Sequence, residues 1–170
     1  MSISPESLYF KDMKSYVLTP GSRQEQRFKA PYKSRVILRI FSDEPVSVSL
    51  AGPHIEQQEI TGSKEYSFTV EPGTEFLISI LNRKVPLFSK TANVTLEIEM
   101  YGPKKAIDIY ERVKNALTML QEEPDFWHLQ KDNVKDLLKE VMDVWSLLGD
   151  EGKGMVKELM ALIKKLEKQE

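Results

Sequence analysis

The chain has 170 residues and no cysteine, with 41% hydrophobic residues, 29% charged residues and a net charge of −2. This composition is typical of a folded domain rather than a disordered chain. The lack of cysteine excludes disulfides, thiolate nucleophiles and cysteine-ligated metal centres. Because basic and acidic residues balance in both halves, we expect no nucleic-acid binding.

Alternating polar and apolar residues predict short strands up to residue 102. Turn residues separate the predicted strands, which lie at 13–18, 24–30, 35–41, 45–51, 54–60, 66–70, 76–81 and 91–101. The strand at 35–41 is apolar on both faces, which predicts that both faces are covered. Since no helical pattern separates the strands, we expect an antiparallel, jelly-roll-like β-sandwich of 7–8 strands in two packed sheets.

The hydrophobic rhythm changes at Gly102-Pro103, after which apolar residues recur every three or four positions, as on helices. The sequence therefore predicts an α+β protein with two domains, a β-sandwich at 1–102 and an antiparallel three-helix region at 103–170. The helical stripes are expected to cover one another in an antiparallel bundle or to pack as a layer on the sandwich. The alternative is that a second copy covers them in a homodimer.

Three glycines, Gly149, Gly152 and Gly154, mark the predicted boundary between the second and third helices. The second helical element is predicted to start at Pro124 or Asp125. Its strong apolar stripe begins after Asp132, and Gly149 is interpreted as its C-cap. The third is predicted to follow Gly152 and Gly154. Frequent lysine and glutamate on these helices also fit a thermophilic source.

Residues 66–83, YSFTVEPGTEFLISILNR, resemble the second half of a GOLD domain, the β-sandwich of p24 cargo-receptor proteins. The shared pattern is a Phe-Thr strand, a glycine turn and an aromatic strand that ends in Asn-Arg. The paired cysteines, signal peptide and membrane span of p24 proteins are missing here. The resemblance therefore implies a GOLD-like interaction module, and we expect a cytoplasmic protein with no transmembrane segment.

No group of residues indicates catalysis or cofactor binding. His54 and His128 lie in different segments, and surface positions explain both better than a metal site or a Ser-His-Asp triad. Glu97 and Glu99 share one strand face and are expected to point to solvent. The stretch 149–154, GDEGKG, lacks the Ser or Thr of a phosphate loop and is interpreted as a helix–helix turn.

Two apolar clusters are candidate partner-binding residues: Leu87 and Phe88 in a loop, and Phe126 and Trp127 at a helix start. They either fill the sandwich–helix junction or form an exposed patch. We therefore expect a non-enzymatic protein-interaction or adaptor module with an unidentified protein partner. The alternatives are a β-sandwich that binds a carbohydrate or lipid, and a structural subunit of a larger assembly.

Overall fold

The computed structural model describes residues 5–52, 56–83 and 90–169 as a six-stranded antiparallel sheet followed by three helices. The strands are β1 (Glu6–Leu18), β2 (Arg23–Lys29), β3 (Ser34–Ala51), β4 (Glu56–Val70), β5 (Glu75–Leu81) and β6 (Ala92–Pro103). The helices are α1 (Lys104–Glu122), α2 (Trp127–Val144) and α3 (Asp150–Lys168), with 3-10 turns at Pro124–Phe126 and Trp145–Leu147. The α+β class and the change from strands to helices at residue 103 are confirmed.

The strands form one curled sheet in the order β1-β6-β3-β5-β2, and β4 pairs with the other edge of β3. β6 pairs with the first half of β3, at 35–42, whereas β5 pairs with its second half, at 47–51. β3 therefore runs through both halves of the sheet, and their side chains share one core. The described residues form a single continuous sheet rather than the two separate sheets expected.

The expected count of 7–8 strands is wrong because two pairs of predicted strands are continuous, one pair in β3 and one in β4. Ser42 pairs with Gly62 and Val46 pairs with Ile60, so β3 has two more residues than β4 between these pairs. An even number of extra residues keeps the alternation of buried and exposed side chains. The sheet therefore bends at this irregularity without a chain reversal.

The core lies on the inner face of the curled sheet, and no element of the described ranges covers the outer face of β3. Alternate residues of β3 are buried, namely Val36, Leu38, Ile40, Val46, Val48 and Leu50. On the opposite face Phe41 is 48% exposed. The expectation that the segment 35–41 is covered on both faces is therefore wrong.

The helices form an antiparallel bundle in which α1 packs against both α2 and α3. Arg112 of α1 pairs with Glu140 of α2 at 2.8 Å, and Lys135 of α2 pairs with Glu167 of α3 at 3.2 Å. The apolar faces of the three helices meet in a core separate from that of the sheet. The predicted start of the second helical element at Pro124 or Asp125 is the 3-10 turn, which leads directly into α2 at Trp127.

Gly149 is the N-cap of α3 and not the predicted C-cap of the second helix. Its φ of −83° and ψ of −179° are extended, and α3 begins at the next residue, so Gly152 and Gly154 lie inside the helix. The N–H of Gly149 donates to the carbonyl of Pro31 at 2.8 Å. The start of α3 is thereby attached to the β2–β3 loop.

The β2–β3 loop joins the sheet to the helices through Tyr32. Tyr32 belongs to the helical core and forms a bridge with Leu148. Its ring meets those of Tyr9 and Tyr110 edge-on, at 5.0 and 5.4 Å between centroids. One aromatic residue from a loop therefore packs the two halves of the chain together.

Candidate functional site

A groove of about 640 Å³ lies between β1 and β2. These strands follow one another along the chain, yet β1 pairs with β6 and β2 pairs with β5. In the described residues they are the two ends of the strand order, so each has a free edge beside the groove. The peptide groups of a free edge have no partner in the sheet and can pair with an added strand.

Asn82 explains why β1 and β2 separate after the turn that connects them. The N–H of Gly21 in this turn donates to the Asn82 carbonyl at 2.6 Å, and the Asn82 N–H donates to the Ser22 carbonyl at 2.9 Å. The buried Asn82 side chain donates from Nδ2 to the carbonyls of Leu18 and Lys90, each at 2.8 Å. Asn82 therefore binds the turn to the end of β5, and β2 continues along β5 rather than along β1.

The strand register identifies the side chains that point into the groove. Phe10, Asp12 and Lys14 of β1 lie opposite buried residues of β6. Gln26 and Phe28 of β2 lie opposite buried residues of β5. Because directly opposite residues share a face of the sheet, these five side chains lie on its inner face.

Aromatic side chains form the floor of the groove. The rings of Phe10 and Phe28 meet across it with centroids 6.1 Å apart, and Phe28 stacks on the buried Phe76 at 5.4 Å. Tyr9 and Met100 complete this apolar surface. Pairs of aromatic rings in such arrangements add about 0.5–1.5 kcal/mol beyond their area of burial, so these contacts stabilise the floor.

The carboxylates beside the groove are already ion-paired. Asp12 lies 3.7 Å from Lys14, and Glu25 lies 3.7 Å from Arg23. Burial, and then the charge of Asp12, raise the pKa of Tyr16 on the same strand. The Tyr16 hydroxyl is buried and has no hydrogen-bond partner among the described residues.

Arg27 and Lys29 give the rim of the groove at β2 a positive charge. They flank Phe28 along β2 and are exposed. Neither forms an ion pair with any residue in the described ranges. Two cations therefore stand on the outer face of this free edge, while the aromatic ring between them points inward.

The strand β1, which has one free edge, carries several exposed apolar side chains. Its large apolar side chains Leu8, Phe10, Met13 and Val17 are 46%, 38%, 65% and 69% exposed. By contrast, β4, whose second edge is also unpaired in the described chain, has Gly62 at its middle and mostly polar side chains elsewhere. Exposed apolar residues on a long edge strand favour pairing with another chain.

Glu99 lies on the outer face of the sheet and is only 8% exposed, so the expectation that it points to solvent is wrong. It accepts hydrogen bonds from the Tyr101 hydroxyl and the Arg39 guanidinium, which lower its pKa. Arg39 also donates from Nε to Glu65 at 3.0 Å and lies 3.6 Å from Glu97. The cluster links β3, β4 and β6 on the outer face of the sheet and thereby stabilises their pairing.

The predicted partner-binding residues do not form one surface. Trp127 is 1% exposed, so the alternative of burial applies to it, within the helical core rather than at the junction with the sheet. Phe126 is 37% exposed and stays a predicted contact residue. Leu87 and Phe88 lie outside the described residues.

The remaining sequence candidates show no shared site. His128 is exposed in the first turn of α2, and His54 lies outside the described residues. The stretch 149–154 is the start of α3 rather than a turn between helices. In the described ranges, no group of three or more His, Asp or Glu side chains is placed to hold a metal ion.

Sequence reasoning missed the groove because its two walls are strands that a four-residue turn connects. Such a turn between two alternating segments predicts a hairpin. The available signal was Asn82, a polar residue at the end of an apolar strand, but its hydrogen bonds to the turn depend on the tertiary structure.

None of the helices in the described residues is long and apolar enough to span a membrane. No family model matches the chain, and no curated protein matches it. The GOLD resemblance therefore stays a prediction.

Solved structures show partial likeness to the chain. A PliG from Aeromonas hydrophila, a periplasmic inhibitor of g-type lysozyme, is 9% identical and covers 53% of this chain and 85% of its own, with a TM-score of 0.42. The corresponding Salmonella Typhimurium protein is 18% identical over 52% and 86%, with a TM-score of 0.37. A cupin domain from Bordetella pertussis is 15% identical over 56% and 91%, with a TM-score of 0.31. At these low scores the likeness indicates no function.

Proposed function

We propose that the protein is a non-enzymatic protein-binding module that takes an extended segment of another polypeptide into the groove between β1 and β2. The observation that carries the proposal is the pair of free strand edges beside one groove with an aromatic floor. In this mode of recognition, an added strand pairs through its backbone and places alternate side chains in pockets.

The lining of the groove supports a peptide as the bound species. Phe10 and Phe28 offer apolar contact to the inward side chains of an added strand. Met13 and Val17 on the outer face of β1 would be partly covered by its outward side chains. Both kinds of contact remove apolar surface from water, which favours association.

The GOLD resemblance supports the same class of function. The residues that carry it, 66–83, cover the end of β4, the whole of β5 and the residue Asn82 that shapes the groove. A GOLD-like domain implies a module that works by contact with other proteins.

A blocking variant tests the proposal. The probe is a fluorescein-labelled octapeptide, Ser-Thr-Val-Thr-Phe-Thr-Val-Ser, and its binding is followed by fluorescence anisotropy. Gln26→Trp places a large side chain in the groove from a half-buried position, and we expect at least a tenfold loss of affinity. Gln57→Trp is the matched control, because Gln57 is exposed on β4, which also has a free edge but lies outside the groove.

Hydrogen exchange locates the bound peptide. We expect saturating peptide to slow exchange of amides in β1 and β2, because an added strand supplies partners for them. Equal affinity for Gln26→Trp and the parent protein, or protection confined to other strands, would refute the proposal.

A second candidate function is binding of a neutral oligosaccharide in the same groove. It is favoured by the polar side chains of Asp12, Glu25 and Gln26 beside the aromatic floor. Calorimetric titration with oligosaccharides of glucose and N-acetylglucosamine tests it. A heat of binding that saturates when the parent protein is titrated, and that is absent for Gln26→Trp, would favour this function over peptide binding.

A further inference from the structure

We infer that the segment bound in the groove alternates acidic and apolar residues, with an apolar residue between two acidic ones. This inference rests on the proposed function and specifies the chemistry of its partner. It follows from the order of side chains along β2, from the ion pairs already formed beside the groove, and from the way in which the sheet neutralises its own outer cations.

The side chains of β2 alternate in charge and direction at the groove. Arg27 and Lys29 point outward, and Phe28 between them points inward onto the aromatic floor. Residues that lie opposite one another on paired strands share a face. A strand added along β2 therefore places two outward side chains beside the cations and the intervening one beside Phe28.

Neither cation forms an ion pair within 4 Å in the described chain, although Glu75 of β5 lies directly opposite Lys29 on the same face. The nearby carboxylates of Asp12 and Glu25 pair with Lys14 and Arg23 instead. An added strand with neutral outward residues would leave Arg27 with Leu77 alone opposite it and Lys29 with Glu75 alone, and one with basic residues would place like charges side by side. Cross-strand pairs of opposite charge stabilise a sheet, whereas like charges destabilise it.

Within the fold, the strand β6 already pairs outward acidic residues with cations on neighbouring strands. Its residues Glu97, Ile98 and Glu99 alternate acidic, apolar and acidic, and Ile98 is buried in the core. Glu97 lies 3.7 Å from Lys11 of β1 and 3.6 Å from Arg39 of β3, its two neighbouring strands. A strand of this alternation therefore fits beside a strand that carries outward cations, as β2 does with Arg27 and Lys29. On its other side the added strand would meet Met13 and Val17 of β1.

Three labelled octapeptides test the inference by fluorescence anisotropy at low salt. The acidic peptide is Ser-Glu-Val-Glu-Phe-Glu-Val-Ser, and in the other two peptides Thr or Lys replaces each Glu. Each cross-strand ion pair stabilises by about 0.2–1 kcal/mol, so two pairs give the acidic peptide roughly a fivefold advantage over the Thr peptide. The Lys peptide should bind at least tenfold more weakly than the acidic one, and added salt should reduce both differences.

Charge reversal at the two cations provides the decisive comparison. In the double variant Arg27→Glu with Lys29→Glu, the Lys peptide should bind more tightly than the acidic one. The double variant Arg27→Gln with Lys29→Gln should bind all three peptides within about twofold of each other, because neither charge remains. Lys64→Glu with Lys157→Glu, which makes the same charge change away from the groove, should keep the acidic preference.

The outcomes separate this inference from the proposed function. Equal binding of all three peptides by the parent protein, with loss of binding in Gln26→Trp, would overturn the charge preference and leave strand addition intact. Failure of every peptide to bind would overturn both. An acidic preference that survives the charge reversal would overturn the assignment to Arg27 and Lys29. Circular dichroism and thermal melting establish that each variant is folded.

Discussion

Substitution of Gly149 by alanine tests how tightly the start of α3 packs against the sheet. A Cβ at this position would lie 2.8 Å from the Gly73 nitrogen, 3.1 Å from the Gly73 Cα and 3.2 Å from the Pro31 carbonyl oxygen. All three are backbone atoms, which cannot rotate away as a flexible side chain does. The backbone of α3 and that of the β4–β5 turn must therefore separate by roughly 0.6 Å to restore ordinary contact.

Two effects of Gly149→Ala lower the free energy of unfolding, and a third raises it. Overpacking of a close contact costs about 1–3 kcal/mol. Alanine is also a poorer N-cap than glycine, which adds about 0.5–1 kcal/mol. The lower entropy of the unfolded alanine chain returns about 0.4–1 kcal/mol. We expect the free energy of unfolding to fall by about 2 kcal/mol and the Tm to fall by roughly 4–8 °C.

Gly154→Ala is the matched control in the same helix. Its Cβ meets no atom within 4 Å, and the position is exposed in the first turns of α3. Alanine favours a helix over glycine by about 0.8–1 kcal/mol, so this variant should be more stable than the parent protein. Urea denaturation followed by circular dichroism measures both variants. A change below about 0.5 kcal/mol for Gly149→Ala would refute the argument that this contact limits the packing.

Two further predictions concern the groove and the junction. Asn82→Ala leaves the carbonyls of Leu18 and Lys90 without their donor and should lower the free energy of unfolding by about 1–3 kcal/mol in urea denaturation; a loss as small as that of the exposed Asn133→Ala would contradict this role. Burial raises the pKa of Tyr9 to about 12, so the folded state favours the neutral phenol and stability should fall as pH rises from 10 to 12. Tyr9 alone contributes about 2 kcal/mol of that loss at pH 12. Tyr9→Phe should flatten this part of the pH profile, and an unchanged slope would show that Tyr9 does not cause it.

The outer cluster around Glu99 shows what a single strand pattern cannot reveal. In the sequence, Glu97 and Glu99 are equivalent acidic positions on one face of a strand. In the structure, the Tyr101 hydroxyl and the Arg39 guanidinium cover Glu99, whereas Glu97 stays more exposed. The difference arises from residues on neighbouring strands, and the alternation along β6 contains no information about them.

Tyr32 illustrates the same limit at the junction of sheet and helices. Its segment contains no periodic pattern, so sequence reasoning treated it as a connection. In the structure its side chain enters the helical core and contacts Tyr110, which lies 78 positions away along the chain. The residues next to an isolated aromatic residue in a loop do not predict which distant residue its side chain will contact.

The sequence by itself determined the features that depend on near neighbours: the change from strands to helices at residue 103, the buried alternation over residues 46–50 and along β6, and the absence of thiol chemistry. Only the tertiary structure decided which strands pair, and hence that the free edges of β1 and β2 border one groove. The physical reason is the range of the interactions. Alternation records the environment of a residue a few positions at a time, whereas β1 pairs with a strand that begins at Ala92, and hydrogen bonds of Asn82 direct the turn after β1 toward β5.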